Sequence, residues 1–408
     1  MRVLLITQLF DPENAIKGLS FAKDLVALGH EVEVVTTFPS YPGGKIFPGY
    51  KMHVRQVENH GGVRVVRIPS YVAHGRSAVK RLLSYASFSA AAFFYSLFAV
   101  KRPDVIYSYY PPMVGGVAGV LLGMIRRRPV IYDVQDLWPE AVVATGMLRN
   151  QKIISGIEAV VGWVYRHAAG IVVLSDGYKN ALLRKGVPAN KIHRIYNWCD
   201  ESRIKPVLGG HQAQKSTFDI VYAGNLGSAQ ALNHVIDAAA LLKQQGEGRI
   251  RFVFFGDGID GERLRQQAVA LDLDNVTFRG RVPPEAISAE LDAADALLVH
   301  LADEPVFAIT IPSKTQAYFA SGKPVLMAVA GEAADIVTAA RAGVAAKPCD
   351  AESIASAALE LARCKGDRLI EMGLAAKSYY AENMSQKNGV AKVSQVLEHV
   401  KARVRSEE

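Results

Sequence analysis

The chain has 408 residues, half of them hydrophobic, which is more than one ordinary core absorbs and predicts two or three domains. Its net charge of +8 suits nucleoside diphosphates or anionic lipids, and the Lys and Arg are scattered rather than arrayed along a track, which sets nucleic acid aside. Three widely spaced cysteines, Cys199, Cys349 and Cys364, with no CxxC pair, fit a reducing compartment and exclude a zinc ribbon or disulfide framework.

Met1–Thr7 has too short an apolar run for a signal peptide and is read as a buried first strand, Val3–Thr7. Gly18–Leu28 has a helical period that Gly29 stops, and the Val-rich Glu31–Thr36 is the next strand. A Pro- and Gly-studded loop, Phe38–Tyr50, follows. Strands are expected at Val63–Ile68, Asp104–Tyr107, Val130–Asp133 and Gly170–Leu174, with helices at Met113–Met124, Ser155–His167 and Ser175–Lys185. Ser84–Val100 is apolar and aromatic but falls short of the roughly 20 residues that cross a bilayer. Arg76, Lys80 and Arg81 precede it; Lys101 and Arg102 follow.

The second half repeats the alternation. Strands are expected at Asp219–Ala223, Arg251–Phe255, Val276–Arg279, Ala296–His300 and Val325–Val329, with helices at Leu232–Gln244, Glu262–Leu271, Pro284–Ala293 and Ile336–Ala342. From Asp350 the chain reads as helices, the last being Asn388–Arg405. The polar, Gly-rich Leu208–Ser216 marks a boundary. This grammar predicts an α/β protein of two Rossmann-like halves, each a parallel sheet covered by helices, facing one cleft.

Ligands of such sheets bind beyond the C-terminal strand ends, so the loops there hold the candidate site. The first, Gln8–Gly18, is not GxGxxG, which argues against a dehydrogenase. Its Lys17-Gly18, before a helix, could hold a pyrophosphate or an acceptor phosphate, or be a plain surface Lys. Asp133, Gln135 and Asp136 lie at a strand tip beside Trp138-Pro139. Asp136 either accepts a hydroxyl proton, or caps its loop or pairs with a nearby Arg. Gly224, Asn225 and Gly227 form a turn whose backbone N–H groups could approach phosphate. Pro312–Pro324 reads as a loop, a helix N-capped by Ser313 and stopped by Gly322, and then a strand; Lys314 adds a charge at the helix start. Arg281 is a second cation, Gly331-Glu332 opens another helix, and Gly256-Asp-Gly258 is a turn near the base. His74 and His300 are read as structural, and no DxD-type metal site is evident.

Pro312, Ser313, Lys314, Tyr318, Ala320, Gly322, Lys323 and Pro324 together resemble the donor segment of glycosyltransferase family 4, two-domain enzymes of the GT-B type. The family's pair of Glu falls on Ile309 and Ala317, so both carboxylates are missing. Glu13–Gly18, Gly29–Val32, Phe38–Lys45, Gly49–Lys51, Asp136–Glu140, Asn197-Trp198 and Gly224–Gly227 look like one branch, the O-antigen and capsule transferases similar to the N-acetyl-L-fucosamine transferases. The resemblance implies an acceptor domain over 1–207, a donor domain over 208–385, and a helix over 386–408 that packs back toward the first domain. It implies a UDP-sugar donor, of a 6-deoxy or acetamido sugar, bound by Gly224, Asn225, Gly227, Arg281, Ser313, Lys314, Gly331 and Glu332. The acceptor would be an undecaprenyl-diphosphate-linked saccharide, met by a cytoplasmic protein resting peripherally on the inner face of the membrane.

No metal or other cofactor is expected. Family members place a His where this chain has Gln135 and Asp136, which makes these two the catalytic candidates. Ala317 cannot hold the ribose as the second Glu does, a loss of about 1.5–3 kcal/mol that Glu332 could replace. The missing pair leaves a retaining or an inverting outcome open. Ser84–Val100 with its basic flanks is either an interfacial element for the lipid acceptor or a core helix. Two rival readings are a UDP-sugar 2-epimerase of the same architecture and a non-catalytic nucleotide-sugar-binding subunit.

Overall fold

A computed structural model of the chain describes residues 1–41, 43–73, 78–110, 113–144, 146, 148–204, 216–283 and 286–407. His74, Arg76, Pro284 and nearly all of the expected boundary Leu208–Ser216 lie outside the described residues. The chain forms two units, Met1–Tyr196 with Lys387–Glu408, and Asn197–Gln386.

The first unit is built on an eight-stranded sheet. Its strands are β1 (Arg2–Thr7), β2 (Glu31–Thr37), β3 (Gln56–His60), β4 (Val63–Ile68), β5 (Val105–Tyr110), β6 (Val130–Val134), β7 (Gly170–Val173) and β8 (Ile192–Arg194). The order is β3-β4-β2-β1-β5-β6-β7-β8, parallel throughout except β3 on β4. Strands buried on both faces read as continuous apolar runs, and Val3, Leu4, Leu5 and Ile6 are all buried. The winding reverses between β1 and β5, so a crevice opens at their C-terminal ends. Among the helices are α1 (Leu19–Ala27), α2 (Ala78–Phe98) and α3 (Val114–Arg126).

The helix Gln386–Glu407 completes this unit. It buries Val390, Val393, Leu397 and Val400. Its Lys401 pairs with Asp104 at 3.0 Å, and Arg403 donates to the Ala169 carbonyl at 2.8 Å.

The second unit has six parallel strands: β9 (Phe218–Ala223), β10 (Ile250–Phe255), β11 (Val276–Gly280), β12 (Ala296–His300), β13 (Val325–Ala328) and β14 (Gly343–Ala345). Their order is β11-β10-β9-β12-β13-β14, with the reversal between β9 and β12. Phe252, Phe254, Leu298 and Leu326 fill the core against Val235, Ile236, Leu242, Ile354 and Leu361 of the covering helices.

Three strands escape the sequence pattern. β3 is a polar edge strand, Gln56-Val-Glu-Asn-His60, and β8 and β14 have three residues each, too few to show a period of two. The helix of Pro312–Pro324 starts one residue earlier than expected. Pro312 stands at the N-cap and Ser313 is the first helical residue, with no side-chain cap. Gly322 ends it in the left-handed region, φ 72°, as a C-terminal glycine does.

Candidate active site

The second unit gathers its chemistry at the β9–β12 switch point. The Tyr318 hydroxyl accepts from the Ala223 N–H at 2.9 Å, which ties the helix Ser313–Ser321 to the tip of β9. That tie lays Lys314 along the loop after β9, with Nζ 4.7 Å from the centre of the Tyr222 ring. Gly224 makes room for it. A Cβ there would fall 2.5 Å from Lys314 Cε and 2.7 Å from Nζ, and the backbone stands at φ 150°, which side chains rarely adopt. The surrounding protein lowers the Lys314 ammonium to about 8, because burial disfavours the charged form. Among the described residues no carboxylate pairs with it. A cation held against a neutral ring at the start of a nine-residue helix is built to meet an anion.

The loop itself is fastened rather than open. The Gly224 N–H donates to the Phe255 carbonyl at 2.8 Å and the Leu226 N–H to Asp257 at 3.0 Å. The Gly227 N–H donates to Gln230 Oε1 at 3.2 Å, which also accepts from Asn225 Nδ2 at 3.3 Å. Gly224 and Gly227 therefore do not offer the expected phosphate-facing N–H groups. They let strand tips and Lys314 come close, and the positive charge comes from the side chain.

Two groups behind this loop were not expected to matter to the site. The Gln230 carbonyl accepts from His300 Nδ1 at 2.7 Å, and the Cys349 N–H donates to His300 Nε2 at 3.3 Å. His300 ends β12, so it joins the two strands of the switch point through the loop. Burial lowers its pKa to about 4. It therefore stays neutral in the folded protein while the unfolded chain takes up a proton near pH 6.5. Its contribution to stability is whole above pH 6.5 and shrinks as pH falls toward 4. Thermal unfolding of the His300→Gln variant should show a shallower loss of Tm between pH 6.5 and 4.5 than the parent; equal slopes would mean that another group sets the acid limb.

The remaining donor-side candidates lie on the same edge of the sheet. Arg281 follows β11, is 73% exposed, and faces Asp257 at 3.9 Å. Gly331, at φ 70°, packs its backbone against the Ala308 carbonyl, where no Cβ fits, and caps the helix that begins at Glu332. Glu332 is half-buried in the first turn of that helix.

The first unit carries a second cluster at its own C-terminal edge. Lys17 is not at a phosphate-ready surface: its side chain is 1% exposed and pairs with buried Asp133. Asp133 also accepts from the Tyr107 hydroxyl and from Gln135 Nε2. The Tyr109 ring centre lies 5.3 Å from Lys17 Nζ. The start of α1 is also taken, because the Asp11 carboxylate accepts from the Leu19 N–H and occupies the space a Gly18 side chain would need. The expected anion site at Lys17-Gly18 is thus filled from within the chain. An isolated buried Lys and Asp are each costly, and their pairing, with the Tyr107 and Gln135 hydrogen bonds to Asp133, offsets part of that cost.

Asp136 stands beyond this cluster. Its side chain reaches solvent, yet the density of protein around it lifts its carboxyl above the usual carboxylate range. Among the described residues it has no cationic partner, and the Lys17–Asp133 pair leaves its charge uncancelled. A carboxylate of raised basicity at a strand tip is suited to take a proton. Gln135 donates its amide to Asp133 Oδ1.

Comparison with known proteins names the chemistry. The family model described as glycosyl transferase 4-like domain matches residues 19–198, and that described as glycosyl transferases group 1 matches 209–378. The chain belongs to the GT-B glycosyltransferases of family 4. It is 29% identical over 290 residues to a putative colanic acid biosynthesis glycosyl transferase of Escherichia coli, covering 67% of this chain and 70% of that one. It is 24% identical to a GDP-mannose-dependent alpha-mannosyltransferase of Mycobacterium tuberculosis, over 84% and 83% of the two chains. The Anabaena HepE structure in complex with UDP-glucose superposes with a TM-score of 0.68 at 17% identity, over 98% of this chain and 100% of that one. In this glycosyltransferase the group 1 segment contains Gly224, His300 and Lys314, and the 4-like segment contains Asp133 and Asp136.

Proposed function

We propose that this glycosyltransferase moves a 6-deoxy or N-acetylamino sugar from a UDP-sugar to an undecaprenyl-diphosphate-linked saccharide, at the inner face of the cytoplasmic membrane, in O-antigen, capsule or exopolysaccharide synthesis. The observation that carries the donor half is Lys314, an ammonium with no carboxylate partner among the described residues, laid over Gly224 at the switch point of the second sheet. It faces the diphosphate and stabilises the charge that builds on it as the sugar leaves. With the start of the helix Ser313–Ser321 it takes the part a metal plays elsewhere, so transfer persists in a chelator. The UDP-glucose complex of HepE supports a uridine donor, and the name of the colanic acid relative supports a polysaccharide product.

Asp136 takes the proton of the acceptor hydroxyl as the new glycosidic bond forms and the bond to the diphosphate breaks. Membership of a transferase family sets the epimerase alternative aside. The test is incubation of the purified protein with UDP-sugars and GDP-mannose, each with lipid-linked saccharide extract, followed by mass analysis of the lipid. A single UDP-sugar adding one residue to the lipid is the expected result. Addition from GDP-mannose alone overturns the uridine assignment, and binding of UDP without any product points to the non-catalytic subunit.

A further inference from the structure

The helix α2 carries apolar side chains on both faces. Phe88 and Ala92 are buried together with Ser84, Ser89 and Ser96, while Val79, Leu82, Leu83, Phe94 and Phe98 are exposed, Phe94 by 58% and Phe98 by 80%. With Ala86 and Ala90, also exposed, the outward residues recur every three or four positions and form one stripe. The inward face is held in place where Ser84 Oγ accepts from Gln8 Nε2 at 3.0 Å. The stripe continues past the end of α2. Arg126 of α3 donates to the Ser96 and Val100 carbonyls, which brings the exposed Met124 and Ile125 to that end.

Charge around the stripe is mostly positive, with Glu31, paired to Arg2, the exposed carboxylate that shares a pocket with Arg102. Lys80, Lys101, Arg102 and Arg127 are exposed. Between Glu58 and Asp133 the sequence has one acidic residue, Asp104, and Lys401 pairs with it at 3.0 Å.

We propose that the α2 stripe is the element by which this enzyme enters an anionic lipid leaflet, lying flat in the interface with Phe94 and Phe98 among the acyl chains and the basic residues at the headgroups. This rests on the membrane-borne acceptor proposed above. Large apolar side chains flanked by an excess of Lys and Arg over carboxylates match an anionic interface. A second copy of the chain fits poorly, because a two-fold contact through this face sets its basic residues against their own images. Spanning is not the mode, since no helix is long and apolar enough to cross a membrane among the described residues.

The test is co-sedimentation with vesicles of phosphatidylglycerol and phosphatidylcholine, or of phosphatidylcholine alone, without donor or acceptor. The parent protein should bind the anionic vesicles and leave them in high salt. Phe94→Ser with Phe98→Ser should cut the partition coefficient about tenfold or more, and Lys101→Glu with Arg102→Glu should reduce binding to the anionic vesicles only. Unchanged UDP affinity and circular dichroism show that each variant is folded. A parent that ignores vesicles, variants that bind like it, or a parent dimer that the Phe variants dissociate each overturn the proposal. Vesicle binding without transfer to lipid-linked saccharide overturns only the acceptor reading, and transfer in detergent by a protein indifferent to vesicles overturns only this one.

Discussion

Replacing Lys314 by Ala should weaken UDP binding about 10–100-fold, the worth of a charge-assisted hydrogen bond of roughly 1.5–3 kcal/mol. Turnover should fall further, by about 10²–10³, because the diphosphate gains charge as the sugar departs. The unliganded variant should melt no lower than the parent, since the ammonium is half-buried against Tyr222 and forms no ion pair that its removal would break. The lowered pKa gives a second signature. Near pH 7 the group is charged, and it loses its proton as pH rises through about 8 in the free protein. UDP affinity should therefore decline above pH 8 in the parent and stay level in Lys314→Ala. Calorimetric titration of UDP at pH 7 and pH 9 checks both; an affinity equal to the parent's at pH 7 removes Lys314 from the diphosphate.

Asp136→Asn should leave UDP-sugar affinity close to normal and reduce kcat by roughly 10²–10⁴, or about 3–5 kcal/mol of barrier. Asn keeps the shape and the hydrogen-bonding capacity of the side chain and removes its basicity. Asp133→Asn makes a contrast. That carboxylate is buried against Lys17, and losing it strands the ammonium, so the variant should lose stability as well as activity. As a base Asp136 works ionised, and its carboxyl lies above the usual range. Turnover should fall as pH drops through that raised value, and the acid limb should vanish in Asp136→Asn. More than about a tenth of normal turnover in that variant would leave the proton to the departing phosphate and Asp136 to loop geometry.

The architecture was legible because parallel strands buried on both faces write themselves as Val, Ile and Leu runs separated by helical periods. The positions of Lys314 at a helix start and Gly224 after a strand were also legible, since both are local signals, but the fastening of the Gly224 N–H to the Phe255 carbonyl was not. What locality hides is pairing. Lys17 and Asp133 are 116 residues apart and Asp11 lies eight before the amide it caps, so a helix start that looked ready for phosphate was already satisfied. His300 looked structural for the right reason, its burial, but its bond to the Gln230 carbonyl spans 70 residues and shows only once β12 lies beside β9. The outward stripe of α2 was hidden for another reason. Apolar residues lie on both faces of that helix, with Phe88 inside and Phe94 and Phe98 outside, and only exposure tells which point outward.

The helix Gln386–Glu407 sets a timetable for biosynthesis. The first sheet is complete once Arg194 has been made, but Val390, Val393, Leu397 and Val400 belong to the same unit and are translated only after the whole of the second. At about 5–20 residues per second, the stretch of roughly 190 residues between Tyr196 and Lys387 takes on the order of 10–40 s. During that interval the second unit, whose chain is continuous from Asn197 to Gln386, can finish folding. The first must wait on the ribosome with an apolar seat uncovered. The half of the enzyme that is synthesised first is therefore the half that matures last, and the nascent chain is most exposed to chaperones and proteases at the unit that carries Asp136.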